Sequence, residues 1–314
     1  MQNSQEYDTV IVGGGIAGLS AAMYAARFKR KVIVFSELPG GTISTTHIVE
    51  NYPPIKSISG FELANKFLEH AKQYGVEVVM ESVEKIEKNQ KGMFEVKVGS
   101  NVYTSKTIIY ATGTEWRKLG VIGEKEFANN GVHYCALCDG AFYKNKKIAV
   151  IGGGDSAIKE SLLLAQYASH VYILARGDNI RAEPINLKRV LDNEKIEVIT
   201  KVEAKEFLGT QKLEKIKLNK AVKIKNSQQQ SDLLDVSAAF VLIGHAPRTQ
   251  LAKDLKVEVD ERQSIIVDKM GRTNVLGFFA GGDCTNSEFK QAIVSASQGV
   301  SCAYAMDAYL KTKN

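Results

Sequence analysis

Apolar residues along this chain come in short runs of strand length, several of them closed by glycines and followed by a stretch with helical spacing. Tyr7 to Val12 is such a run. It enters Gly13-Gly14-Gly15-Ile16-Ala17-Gly18, continues as a helical stretch through Arg27, and is followed by a second strand, Lys31 to Phe35. The same succession begins again at Lys147, with a strand to Ile151, the turn Gly152-Gly153-Gly154-Asp155-Ser156-Ala157, a helix to about Ala168 and a strand from His170 to Leu174. A lone GxGxxG is a weak signal, but two strand–turn–helix–strand units predict two dinucleotide-binding folds. In such a turn the first glycine allows the tight bend and the second lets the backbone approach a pyrophosphate. The third lets helix pack on strand, and the helix N-terminus receives the negative charge. The second unit departs only in carrying the tolerated Ala157 at the third position.

The two units are not simply in tandem. Gly277-Phe278-Phe279-Ala280-Gly281-Gly282-Asp283 reads as a strand leading to an acid, with a helix from Phe289 onward, and it looks like a returning piece of the first domain. The expected fold is therefore α/β, with two Rossmann-like, three-layer dinucleotide-binding domains, the second inserted into the first. Residues 1–117 and 246–314 form one domain and 118–245 the other. The chain leaves after Ala111-Thr112-Gly113 and returns near His245-Ala246-Pro247, and two crossings make a natural hinge. At 314 residues, 44% hydrophobic and 24% charged, the chain is long enough for two cores.

Charge adds little to this picture. The net charge of +6 comes from scattered lysines, and from Ile216 to Lys225 apolar and basic residues largely alternate, placing Lys217, Lys223 and Lys225 on the wet face of a strand. No aromatic or arginine interleaving suggests a nucleic-acid groove. The longest apolar stretches, such as Val236 to Ile243, are strand-sized, so no membrane helix is expected. Met1 to Asp8 has neither leader pattern, and the expected location is the cytoplasm.

The chemistry enters with Cys135-Ala136-Leu137-Cys138-Asp139-Gly140, just ahead of the second glycine turn. Two cysteines at this spacing can close a small disulfide ring and each can lower the other's thiol pKa. Asp139 beside them could carry the proton that thiol exchange must move. The same spacing supplies half of a zinc site, and His133 extends it to His-x-Cys-x-x-Cys. A fourth ligand is missing, because Cys284 and Cys302 are isolated and read as packed small residues. No metal is therefore expected. A thiol pair beside a nucleotide fold points to electrons moving from a nucleotide to a disulfide, with a zinc-binding or redox-sensing protein as the non-enzymatic alternative.

Taken together these residues resemble the low-molecular-weight thioredoxin reductases, members of the two-dinucleotide-domain flavoprotein disulfide reductases. The resemblance spans essentially the whole chain. It rests on the first glycine turn, Gly40-Gly41-Thr42-Ile43-Ser44-Thr45-Thr46 through Glu50-Asn51-Tyr52-Pro53, Ala111-Thr112-Gly113, the cysteine pair, Gly244-His245-Ala246-Pro247, and Gly282-Asp283 followed by Gln291-Ala292. It implies FAD on the first domain, held by Gly13, Gly15, Ala17, Gly18, Ser36, Glu37, Gly41, Thr42, Asn51, Ala111, Thr112, Gly113, Gly282, Asp283, Gln291 and Ala292. It implies NADPH on the second, at Gly152, Gly154, Asp155, Ser156, Ala157, Arg176 and Arg181. The implied route runs from nicotinamide to flavin to the sulfur of Cys138, releasing Cys135 to attack a protein disulfide, with Asp139 as general acid and base. Thioredoxin or a similar small redox protein is the implied partner, and a homodimer the implied assembly.

This chain departs from the family pattern where the donor is chosen. After the second strand of the second domain it reads Ala175-Arg176-Gly177-Asp178-Asn179-Ile180-Arg181, where the family has His-Arg-Arg and a further arginine. Arg176 and Arg181 remain, so the phosphate clamp is thinned while no acid takes its place. NADPH is the expected donor, with NADH or ferredoxin as alternatives. A dithiol oxidase running on flavin and oxygen would have no need of the second glycine turn. In the first domain, Thr42 replaces a common glutamine, Ser36 with Glu37 stands where a ribose-binding acid is usual, and Lys290 replaces an arginine.

Overall fold

The computed structural model describes residues 6–224 and 229–313. The chain divides into two compact units, one reaching Glu115 and resuming at Ala246, the other running from Trp116 to His245. Both are α/β, and both are Rossmann-like in having a parallel sheet with helices on one face and antiparallel strands contributing the other.

In the first unit the parallel strands lie in the order Glu77–Val79, Val32–Phe35, Glu6–Val12 and Asn101–Tyr110, with the returning Phe278–Ala280 pairing with the last. Period-two alternation sorts their side chains between two cores. Ile11, Val34, Ile109 and Phe279 face the helices Ile16–Arg27 and Ala292–Lys311, with Leu19, Ala22 and Met306 packed among them. Val10, Ile33, Ile108 and Phe278 face the other way, toward Phe94 and Val96 of the antiparallel pair Lys85–Lys88 and Phe94–Val98. Runs apolar on every residue are what a sheet buried on both faces requires. The C-terminal helix begins at Ala292, not Phe289: Gln291 is still extended at φ −139° and ψ 154° and serves as the N-cap.

The second unit repeats the plan. Its sheet runs Ile196–Thr200, His170–Ala175, Lys147–Ile151, Ala238–Val241 and Val132–His133, all parallel. Val150, Ile173 and Phe240 face the helices, while Ile151, Leu174 and Val241 face a three-stranded antiparallel layer, Ala204–Gly209, Leu213–Lys223 and Gln230–Asp235. In the middle strand of that layer Ile216, Leu218 and Val222 are buried, and Lys217 and Lys223 are exposed as their alternation requires. Lys225 lies outside the described residues.

A redox turn and two open glycine cradles

Val132–His133 ends directly at the cysteine segment. Cys135 has extended backbone and N-caps a four-residue helix, Ala136–Asp139, which passes into the short 3-10 turn Gly140–Tyr143. Cys135 and Cys138 are joined by a disulfide, with their Cα atoms 5.3 Å apart. The Cys138 N–H donates to Cys135 Sγ at 3.1 Å. Exposure divides the pair, since Cys135 is buried and Cys138 lies at the surface. Asp139 follows, partly exposed, with one carboxylate oxygen 3.1 Å from His133 Nδ1. Among the described residues no group of three His, Cys, Asp or Glu side chains could hold a metal.

The turn is built onto the helix Asp155–Tyr167 that follows the second glycine motif. Ala136 is fully buried against that helix's apolar face. Gly140 lies so close that a Cβ there would stand 2.8 Å from Leu164 Cδ2. Glu160 of the same helix accepts the Ala136 N–H at 3.1 Å. Burial pushes the Glu160 carboxyl up to about 7, against the lowering effect of that amide and of Lys159. The sign for stability follows from linkage. Between the ordinary carboxylate value of 4.5 and about 7 the folded chain keeps a proton that the unfolded chain has lost, so stability falls as pH rises through this window. Glu160→Gln keeps an acceptor for Ala136 and removes the charge. It should stabilise the protein by on the order of 3 kcal/mol above pH 7 and by little at pH 4.5, read from urea unfolding at both pH values.

Each glycine turn separates glycines that shape the protein from one that leaves room beside it. At Gly18 a Cβ would collide with the Gly13 carbonyl oxygen, and at Gly152, with φ at +150°, it would collide with that of Leu242. Gly154 has no heavy atom within 4 Å of the same position, and at Gly15 the nearest atoms, in Gly40 and Gly41, stand at 3.9 Å. The helices that start at these two glycines carry no side-chain cap, so their first N–H groups are available to an outside acceptor. An open cradle over an uncapped helix N-terminus, at the carboxyl end of parallel strands, fits the pyrophosphate of a dinucleotide in both units.

Around the first cradle the remaining predicted residues gather from distant parts of the chain. Asn51 Nδ2 donates to Gln291 Oε1 at 3.1 Å, which brings those two together beside the start of the Ala292–Lys311 helix. Asp283 Oδ1 accepts the Ser295 hydroxyl at 3.1 Å, its main-chain oxygen accepts Lys290 Nζ at 2.8 Å, and the neighbouring Gly282 N–H donates to Gln298. Ala17 is a packing residue, since Gly282 and Gly299 close on it without room for a Cβ. Ser36 is buried under Gly14, Glu37 is exposed and accepts the Ser82 hydroxyl, and Gly41-Thr42 open a 3-10 turn. Ala111 is buried, Thr112 donates its hydroxyl to the Arg248 carbonyl at 2.6 Å, and Gly113, at φ +63°, has open space beside it.

Around the second cradle, Ala157 buries its methyl group and Ser156 is exposed, while Asp155 turns its carboxylate to the Glu183 N–H and Asn186 side chain. Ala175 packs on Gly153. The loop then returns to the cradle, with the Arg181 N–H donating to the Gly153 carbonyl at 2.8 Å. Arg176 and Arg181 are both exposed. Asp178 is paired with Lys201 at 2.7 Å. Sequence reasoning missed Glu160 and Lys201, which carry no motif of their own.

A family model described as pyridine nucleotide-disulphide oxidoreductase matches residues 7–299. Thioredoxin reductase of Bacillus subtilis is 36% identical over 313 residues, covering 99% of this chain and 97% of that protein. That of Treponema pallidum is 38% identical over 309 residues, covering 98% of each. Among solved structures, Lactococcus lactis thioredoxin reductase in its FR conformation matches with a TM-score of 0.90 and 35% identity, covering 98% of this chain and 99% of that one.

Proposed function

The chain belongs to the pyridine nucleotide-disulphide oxidoreductase family, and from that premise we propose that it passes two electrons from NADPH through FAD and the Cys135–Cys138 disulfide to the disulfide of thioredoxin or a similar small redox protein. Family membership brings a flavin and a nicotinamide nucleotide. The observation that carries the fuller reading is a formed disulfide on a unit with an open glycine cradle, in a chain whose other unit repeats that cradle.

The unit built from the chain's two ends would hold FAD, with Gly13, Gly15 and Gly18 for its pyrophosphate, Asp283 for a ribitol hydroxyl, and Asn51, Gln291 and Ala292 for its isoalloxazine. The inserted unit takes NADPH at Gly152, Gly154, Ser156, Arg176 and Arg181. The bound flavin supplies the means of turning a hydride into an electron pair delivered to sulfur. Cys138 would be the sulfur that receives the pair. As the S–S bond opens, Cys135 leaves as the thiolate, stabilised by the Cys138 N–H that already points at its Sγ. Cys135 then attacks the partner's disulfide, one partner sulfur departing as a thiol with a proton from Asp139. Attack of Cys138 on the mixed disulfide restores the internal bond and releases the second thiol. Leu137 and Phe142, 36% and 79% exposed next to this turn, give a protein partner apolar surface to meet.

The donor reading draws support from the ion pair in the thinned clamp. Asp178 is the acid that follows the strand end in sequence and is paired with Lys201, while Glu203, the acid in the field of Arg176, is paired with Lys205, which leaves Arg176 and Arg181 as basic partners for a 2′-phosphate. Anaerobic titration of the oxidised protein should bleach the flavin with NADPH. Bleaching by dithionite but by neither NADPH nor NADH would remove the donor assignment. Arg181→Ala should raise KM for NADPH by about tenfold to a hundredfold and leave NADH unaffected, because a charge-assisted phosphate contact is worth about 1.5–3 kcal/mol. Equal losses with both nucleotides would show that Arg181 serves the loop and not the phosphate.

The assembly is read as a cytoplasmic homodimer that engages neither nucleic acid nor membrane. Among the described residues no helix is long and apolar enough to cross a membrane. The dimer rests on the family resemblance and is checked by sedimentation.

A further inference from the structure

His133 ends the edge strand two residues before Cys135. Parallel pairing sets it opposite Phe240. The two rings stack at 5.4 Å and 28°, and the ring of Tyr143 meets both at steep angles. Only 5% of the imidazole is exposed in this apolar seat. Its nitrogens nevertheless face polar groups of the redox segment. Nε2 lies 2.7 Å from the Tyr143 hydroxyl, and Nδ1 lies 3.1 Å from Asp139 Oδ2 along an oblique approach. That approach falls short of hydrogen-bond alignment, so among the described residues Nδ1 is a buried polar atom with no hydrogen-bond partner, and the Asp139 carboxylate is the acceptor within reach.

Burial holds the imidazole below its ordinary pKa, with Asp139 opposing, so the ring is neutral and carries a single N–H. Burial raises the Tyr143 hydroxyl, with Asp139 adding to the rise, so the phenol keeps a proton that it can donate to Nε2. A carboxylate that can only accept faces Nδ1, and a hydroxyl that can donate faces Nε2, an arrangement that favours the ring's own proton on Nδ1. Of the titratable groups that the following helix sets against the turn, Glu160 engages the Ala136 amide and Tyr167 packs at Gly140.

We infer that His133 is a positioning residue for disulfide exchange: Tyr143 fixes its tautomer, and its Nδ1–H holds the Asp139 carboxyl beside the Cys135–Cys138 bond. The Asp139 side chain is 30% exposed, and without the ring it would turn to solvent. The inference rests on the reading of Asp139 as the acid and base of the exchange. It assigns a task to a buried imidazole that would otherwise be only a core residue.

His133→Phe keeps an aromatic ring on Phe240 and removes both nitrogens, while Tyr143→Phe removes only the hydroxyl that sets the tautomer. Flavin-loaded enzyme reduced with stoichiometric dithionite is mixed with oxidised thioredoxin, and flavin re-oxidation is followed across pH. Re-oxidation should slow about tenfold in His133→Phe and about threefold in Tyr143→Phe, each with a displaced pH profile. Reduction by dithionite should match wild type. Nitrogen-15 spectra of the wild-type imidazole should show the Nδ1–H form, and an Nε2–H form would overturn the inference even if His133→Phe failed to fold. Asp139→Asn separates the two levels of the argument. A slow Asp139→Asn beside a His133→Phe with wild-type rate and profile sinks the role of His133 alone, and wild-type behaviour in both removes the acid–base reading beneath it.

Discussion

Cys138→Ser should abolish reduction of a protein disulfide, lowering turnover by roughly a thousandfold or more, while nucleotide still bleaches the flavin anaerobically. The two halves of this result come from different parts of the chain. On the proposed relay, hydride acceptance needs both nucleotide cradles and neither sulfur, whereas the onward step needs Cys138 twice, to take up the electron pair and to close the mixed disulfide on Cys135. Cys138 is the exposed member of the pair, and Cys135 is 8% exposed under it. No other thiol can stand in. Cys284 and Cys302 are fully buried, and burial pushes the first up to about 11 and the second higher still, so neither forms a thiolate near neutrality. Disulfide turnover retained in Cys138→Ser would refute the relay, and loss of flavin bleaching in the same variant would show that the cysteine serves the nucleotide step.

Much of this architecture was legible in the sequence because its constraints are local. A glycine with φ at +103° or +150° at the end of a buried strand, as at Gly13 and Gly152, is written by the backbone itself. The Cys-x-x-Cys spacing is likewise a local signal, and its sulfurs are joined. What escaped depends on partners far along the chain. Nothing in the sequence around His133 separates a core position from a solvent-facing one, and its register opposite Phe240 buries it. Glu160 sits in a helical run where nothing distinguishes it from its neighbours until the redox turn packs on that helix. The alternation around Ile216 showed a half-buried strand but not the sheet face it covers. The start of the last helix was misplaced because the run from Phe289 reads as helical, while Gln291 is held extended at the N-cap.

The second large effect separates glycines of the fold from glycines of the ligand, and it requires two substitutions. In Gly18→Ala the new methyl group would fall on the Gly13 carbonyl oxygen, so the first helix and its turn must move apart. Overpacking of this kind costs about 1–3 kcal/mol or more, and the purified protein should lose stability and flavin together. Gly154→Val places its side chain where the protein has no atom within 4 Å. The backbone there, at φ −95° and ψ 171°, is extended and suits a β-branched residue. Thermal stability of the flavin-loaded protein should therefore stay near wild type. The added carbons would instead occupy the space where the donor's pyrophosphate approaches the backbone, and KM for NADPH should rise by roughly a hundredfold, equivalent to about 2.7 kcal/mol. Flavin content, flavin reduction by dithionite and re-oxidation by thioredoxin should be unchanged in Gly154→Val, since each depends on residues this side chain does not touch. If Gly154→Val bound NADPH as wild type does, the open cradle in the inserted unit would not be the nucleotide site. Were it to lose flavin as Gly18→Ala does, the two cradles would have been assigned to the wrong cofactors.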